Sequence, residues 1–118
     1  MSQAVTGYRQ AVVERALRGP GTASTAARRA AFDNQGVETP ARALVDKIAQ
    51  RAWTITDADV AGARAAGVSE DQIFELAVCA ALGQASRQIE AALAALEAAT
   101  RDTASAANQN ATPAQPRP

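Results

Sequence analysis

Four residues spaced by four, Glu75, Cys79, Gly83 and Arg87, are the ones whose types and spacing could do chemistry. On an α-helix this spacing places a carboxylate, a thiol, a gap and a guanidinium on one face. Such a row could line a polar pocket against a partner helix. It could also be an exposed helix edge with a packed thiol, and the sequence favours this second interpretation. The candidate catalytic residues are therefore Cys79, Glu75 and Arg87, with no role assigned to any of them.

Cys79 is the only cysteine of the chain, which contains no histidine. A thiol attacks as the thiolate, so a nucleophilic cysteine needs a group that lowers its pKa. Glu75 lies one helical turn away, and the other neighbours are apolar; both influences raise a thiol pKa. We therefore predict that Cys79 is a small core residue. A single cysteine also excludes an internal disulfide.

Two other charged pairs have simple structural explanations. Asp57 and Asp59 could bind a metal, but carboxylates at a helix start are better explained by capping and by the helix dipole. The pair Arg28-Arg29 is predicted to be solvated. The sequence therefore predicts no metal site and no cofactor.

Charge and hydropathy argue against several classes of partner. The chain has 118 residues and a net charge of zero, so nothing favours nucleic acid or an anionic membrane. No apolar run reaches the roughly 18 residues of a membrane span, and a secretion signal is not evident. The expected location is the cytoplasm. Residues 1–55 are net basic and residues 56–118 are net acidic; these halves could dock within or between chains, or could be ordinary solvated faces.

Helical periodicity predicts an all-α domain of about five helices over residues 1–102. The first helix is expected over 5–18, the second over 24–33 with an exit at 34–36, and the third from an N-cap at Thr39 to residue 52. Trp53 is expected to fill the junction with the fourth helix. The predicted buried residues are Val5, Tyr8, Val12, Val13, Ala16, Leu17, Phe32, Leu44, Val45, Ile48, Ala49 and Ala52.

The clearest boundaries come later in the chain. Capping boxes are expected at Thr56 with Asp59 and at Ser69 with Gln72, and Gly67 is expected to end the fourth helix in the left-handed conformation. The fifth helix is predicted from residue 70 to about residue 100, and residues 103–118 are predicted to be disordered. Its predicted inward stripe is Phe74, Val78, Leu82, Ala85, Ile89, Leu93 and Leu96.

A short helix ending in Ala-Ala-Gly, a Val-Ser-Glu-Asp cap and an Ile-Phe-Glu-Leu helix start follow one another over residues 65–76. This order resembles the second half of the alkylhydroperoxidase-D-like (carboxymuconolactone-decarboxylase-like) domain. The helix over residues 40–53 is similar to that family's approach segment, so the resemblance covers residues 40–97. It implies a small helical fold that assembles into oligomers through its long helices.

The resemblance also implies thiol peroxidase chemistry, an antioxidant activity that uses a Cys-x-x-Cys pair and a histidine four residues later. When the chain is aligned on Gly67, the cysteine positions fall on Ala52 and Ile55, and the histidine position falls on Asp59. None of these matches. The decarboxylase branch is also histidine-centred, and this chain has no histidine.

The predicted function is therefore that of a family member without the thiol peroxidase motif. We expect a non-catalytic homo-oligomeric scaffold or the partner subunit of another protein. One alternative is a divergent enzyme, peroxidase-type or other, with a pocket that uses Cys79, Glu75 or Arg87. Another is a small-ligand-binding module with an apolar pocket near Trp53 and Phe74.

Overall fold

The computed structural model describes residues 3–110, and this part of the chain contains helices and no strand. The elements are α1 (Gln3–Arg18), α2 (Thr25–Asp33), α3 (Thr39–Arg51), a 3-10 turn (Ala52–Thr54), α4 (Asp57–Ala65) and α5 (Glu70–Asn110). The predicted all-α class, with a long C-terminal amphipathic helix, is confirmed. Among the described helices, none has both the length and the apolar character needed to cross a membrane.

The chain divides into two compact units, residues 1–86 and residues 87–118. The first unit holds α1 to α4, the beginning of α5 and the hydrophobic core. Alanine is the commonest residue of this core, so it is thin, because each alanine buries little apolar area. The central core residues are Leu17, Ala23, Ala31, Val37, Ala41, Val45, Leu76, Cys79 and Ala80.

Most of the predicted helix boundaries are confirmed by hydrogen bonds or by backbone angles. Side-chain oxygens that accept backbone N–H groups begin three helices, and left-handed residues follow two of them. The confirmed signals are the boxes at Thr56 with Asp59 and at Ser69 with Gln72, the exit of α2 at 34–36 and the left-handed exit at Gly67 (φ 101°). The structure adds a side-chain cap at Ser24 and a left-handed Asn34 (φ 51°).

The predicted N-cap of α3 is wrong by one residue. Glu38 is the N-cap: its backbone is extended, and its carbonyl oxygen accepts the N–H groups of Ala41 and Arg42 at 3.0 Å. Thr39 is already helical, so its hydroxyl is not placed to cap. The Glu38 side chain makes no capping hydrogen bond of its own.

The expected burial of Trp53 is also wrong, since its side chain is 81% exposed. The buried face of α3, formed by Leu44, Val45 and Ala49, ends with the α-helix at Arg51. The 3-10 turn that follows has a different number of residues per turn, so it breaks the register that would have continued this face through Ala52 and Trp53.

The apolar stripes of α1 and α5 are turned outward relative to the prediction. In α1, Val5, Tyr8 and Val12 are exposed, whereas Leu17 is buried. In the first part of α5, Leu76, Cys79, Ala80 and Gly83 face the core, and Phe74 is 70% exposed. Neighbouring backbone approaches α5 closely, and such an approach admits only small residues at the contact, so the larger side chains lie outside.

The fifth helix extends beyond its predicted end near Thr100, as far as Asn110. Residues 103–107 include three alanines, and alanine has the highest helix propensity, so the helix runs into the segment predicted to be disordered. Residues 111–118 of that segment lie outside the described residues.

Candidate functional site

Glu75 binds the loop between α1 and α2 rather than standing free in a pocket. Its two carboxylate oxygens accept the backbone N–H groups of Thr22 at 2.7 Å and of Ala23 at 2.6 Å. The hydrogen bond from Ala23 is the main reason that the pKa of this carboxyl lies below its ordinary value; partial burial opposes this shift, and the N–H of Thr22 adds to it. Gly21 lies so close to the carboxylate that a Cβ there would overlap it. Glu75 is thus an anionic anchor for two backbone donors.

Arg28 is buried, only 5% exposed, although the sequence predicts a solvated pair. Its guanidinium donates to the carbonyl oxygens of Gly19 at 2.7 Å and of Ala16 at 3.2 Å. These carbonyls lie at the C-terminal end of α1, where a cation is favourable. The Nε of Arg28 is buried without a hydrogen-bond partner. Arg29 behaves as predicted and pairs with Asp33 at 3.0 Å on the surface.

Cys79 is 1% exposed and packs in the core, as the sequence predicts. Its thiol donates a long hydrogen bond, with 3.5 Å between Sγ and the carbonyl oxygen of Ala16. Burial raises the pKa of this thiol; the charge of Arg28 opposes the shift, and the charge of Glu75 adds to it. A buried thiol of raised pKa carries little thiolate near neutral pH, so it is a poor nucleophile.

Three residues of the row have structural roles. Glu75, Cys79 and Gly83 lie in the first unit, where they hold a loop, fill the core and allow close packing. A Cβ on Gly83 would overlap the carbonyl oxygen of Phe32 and lie 2.6 Å from its carbonyl carbon. Arg87 begins the second unit.

Of the two carboxylates in the first turn of α4, Asp57 and Asp59, the second is used in capping and in an ion pair. Asp59 accepts from the backbone N–H of Thr56 at 2.9 Å and from Lys47 at 2.8 Å. The hydrogen bond from Lys47 is the main reason that the pKa of Asp59 is lowered, and the N–H of Thr56 comes next. Within residues 3–110, no group of three or more His, Cys, Asp or Glu side chains is placed to hold a metal ion.

An open cleft of about 500 Å³ lies in the first unit, between α2, the start of α3, the turn after α4 and the start of α5. It is a different site from the predicted apolar pocket, because neither Trp53 nor Phe74 lines it. Sequence reasoning missed this cleft. The available signal was the alanine pattern of α2, which leaves one side of that helix without bulk. The residues that line the cleft include Ala26, Ala27, Ala30, Val37, Glu38, Val68 and Leu76.

Large apolar side chains form the other conspicuous feature of the described surface. On α1, Val5, Tyr8 and Val12 recur at the spacing of one helix face. In the second unit, whose described part is helical, Ile89 is 37% exposed and Leu96 is 63% exposed. Exposed apolar side chains that recur with helical spacing, as opposed to single ones, are typical of interaction sites.

Comparisons with protein-family models, with curated proteins and with solved structures give no match for this chain. The resemblance to alkylhydroperoxidase-D-like domains therefore stays a prediction. The features of the chain that bear on its function are the row of Glu75, Cys79 and Gly83, called the buried row, and the exposed apolar surface.

Proposed function

We propose that this protein is a non-catalytic helical scaffold that assembles with copies of itself through α5. In this proposal it is an alkylhydroperoxidase-D-like protein without the redox motif. The observation that carries the proposal is the exposure of large apolar side chains along α5, whose apolar residues recur at helical spacing in the sequence.

The second unit carries exposed apolar side chains on a single helical segment. Its described part, residues 87–110, is a helical segment that includes Ile89, Leu93 and Leu96, and the first and last of these are exposed. Most of the stability of a protein helix comes from packing of its apolar face. A partner surface would remove these side chains from water and gain about 25 cal/mol for each Å² of apolar area buried.

A second copy of the chain is the occupant that the sequence favours. The apolar residues of α5 are spaced by three and four, which is the spacing of paired helices. The positions between them are rich in alanine, which allows two helices to approach closely. Both signs of charge are present, with Glu97 one helical turn from Arg101, so two copies can pair without like charges being forced together. A symmetric pair presents the same stripe twice, so each contact is made twice.

The non-catalytic part of the proposal rests on the buried row. Glu75 is committed to two backbone donors, and Cys79 is buried with a raised pKa. The chain has no histidine that could serve as a base. A peroxide-consumption assay with a dithiol reductant should therefore give no turnover by the purified protein, and turnover that is lost in Cys79→Ser would contradict this part of the proposal.

The assembly is tested by light scattering coupled to gel filtration over a range of protein concentrations. We expect a mass above that of one 12.1 kDa chain. Ile89→Glu and Leu96→Glu should each reduce this mass, because each places a carboxylate in the apolar contact. Ala91→Glu is the matched control: it lies two residues from Ile89, hence on the opposite side of the helix, and should assemble as the wild type does.

Circular dichroism separates loss of assembly from loss of folding, since an unfolded variant would also fail to assemble. The folded variants should retain the helical signal of the wild type. A wild-type protein that is monomeric at all concentrations would refute the scaffold proposal. Equal loss of mass in Ile89→Glu and Ala91→Glu would refute the assignment of the stripe.

A further inference from the structure

The cleft between α2, α3 and α5 takes no part in the proposed assembly and has the dimensions of a ligand site. Its volume of about 500 Å³ falls within the range usual for small-molecule sites. It lies wholly within the first unit, so its walls are held by the hydrophobic core. Val37, Ala41 and Leu76 belong to both the core and the cleft.

Slightly more than half of the cleft's wall is apolar. Ala26, Ala27 and Ala30 form the α2 side, while Val68 and Leu76 lie on the side of the α4–α5 turn and α5. Alanine is the residue that keeps this space open, because a longer apolar side chain at these positions would fill it. An apolar body is therefore what the walls would take from water.

The charge of the cleft is set by one residue. Glu38 is the only ionisable side chain among the described residues that line it. In the described part of the chain, its carboxylate neither caps α3 nor joins an ion pair. The side-chain oxygens of Ser24 and Ser69 each accept one N–H group at the starts of α2 and α5, and no cation is among the described residues that line the cleft. An unpaired carboxylate beside an apolar wall favours a ligand that carries a positive charge.

We propose that this cleft binds a small organic ammonium ion, with its apolar body against the alanine wall of α2 and its ammonium group at the carboxylate of Glu38. Binding would combine an apolar contact with a charge-assisted hydrogen bond at the rim of the cleft. It involves no residue of the Glu75–Cys79–Gly83 row and does not depend on self-assembly.

Titration of the ¹⁵N-labelled protein with hexylammonium, followed by amide chemical shifts, tests the proposal. 1-Hexanol is the matched neutral probe and hexanoate the matched anion. We expect saturable shifts at the cleft amides, for example those of Ala27, Val37 and Val68. The ammonium ion should bind about threefold to fivefold more tightly than the alcohol, as for an exposed ion pair, and the anion more weakly than either.

Two variants and one control substitution make the result specific. Glu38→Gln should remove the preference of the site for the ammonium ion over the alcohol, whereas Glu90→Gln, an equal loss of charge in the second unit, should leave it unchanged. Ala26→Leu, at the exposed rim of the cleft, should weaken binding of both probes. Equal affinity for the three probes, an unchanged preference in Glu38→Gln, or the absence of saturable shifts at the cleft would each overturn the proposal.

Discussion

The substitution Gly83→Ala tests the close approach on which the position of α5 depends. Gly83 is buried, and a Cβ there would lie 2.6 Å from the carbonyl carbon and 2.9 Å from the Cα of Phe32, besides overlapping its carbonyl oxygen. Ordinary contacts between carbon atoms are about 3.5–4.0 Å. All three atoms are backbone, so no side chain can rotate away, and α2 and α5 would have to separate.

The expected effect is a difference between two opposing contributions. Overpacking that moves backbone costs about 3 kcal/mol, whereas alanine in place of glycine inside a helix gains about 1 kcal/mol. The net expectation is a free energy of unfolding lowered by about 2 kcal/mol. For a chain of this size that lowers the urea midpoint by about 1 M.

Gly62→Ala is the matched control, because Gly62 is inside α4 and nothing lies within 4 Å of the Cβ it would gain. Only the gain in helix propensity applies, so this variant should be about 1 kcal/mol more stable than the wild type. Both variants are unfolded in urea at one fixed protein concentration, since self-association would add to the apparent stability. A Gly83→Ala protein as stable as Gly62→Ala would refute the close contact between α5 and Phe32.

Two further predictions concern the rest of the buried row. Glu75→Gln should lower the free energy of unfolding at pH 7 by about 1 kcal/mol, with Glu90→Gln as the neutral control. Because the pKa of Glu75 is lower in the folded protein than in the unfolded chain, its carboxylate contributes stability above the unfolded value, and this is lost as the pH falls through the folded value. Urea midpoints should therefore fall less steeply below about pH 5 in Glu75→Gln than in the wild type; parallel curves would contradict this. The thiol of Cys79 should react with a disulfide reagent far more slowly in the native protein than in urea, and equal rates would show that it is accessible.

How much of this fold the sequence predicts depends on the range of the interactions involved. The boxes at Thr56 with Asp59 and at Ser69 with Gln72, and the exit at Gly67, are set within a few residues of chain, so they are read correctly. Which side of a helix faces the core is decided by tertiary packing. In α5 the larger residues predict one side, but the close contact at Gly83 selects the side of small residues.

The residues of the candidate site divide in the same way, into those set by nearby sequence and those set by tertiary contacts. Apolar neighbours in the sequence are enough to predict a buried Cys79. The partners of Glu75, however, lie more than fifty residues earlier in the chain, and the partners of Arg28 are carbonyl oxygens that carry no side-chain signature. Neither could be read from spacing. The cleft is still less visible, because it is defined by the absence of bulk on α2.

The buried polar row and the exposed apolar stripe have a common physical origin. With alanine as its commonest core residue, the first unit gains little from burial, and charge-assisted bonds from Glu75 and Arg28 to backbone groups fix the α1–α2 loop instead. Large side chains that could contribute more area, Phe74 and Tyr8 among them, lie on the surface instead. Exposed area of this kind is unfavourable in an isolated chain, and in the proposed assembly a second copy would supply the burial that the core lacks. Stability and assembly should therefore be coupled, so a variant that reduces assembly, such as Leu96→Glu, should also lower the urea midpoint measured at high protein concentration, and should do so less at low concentration.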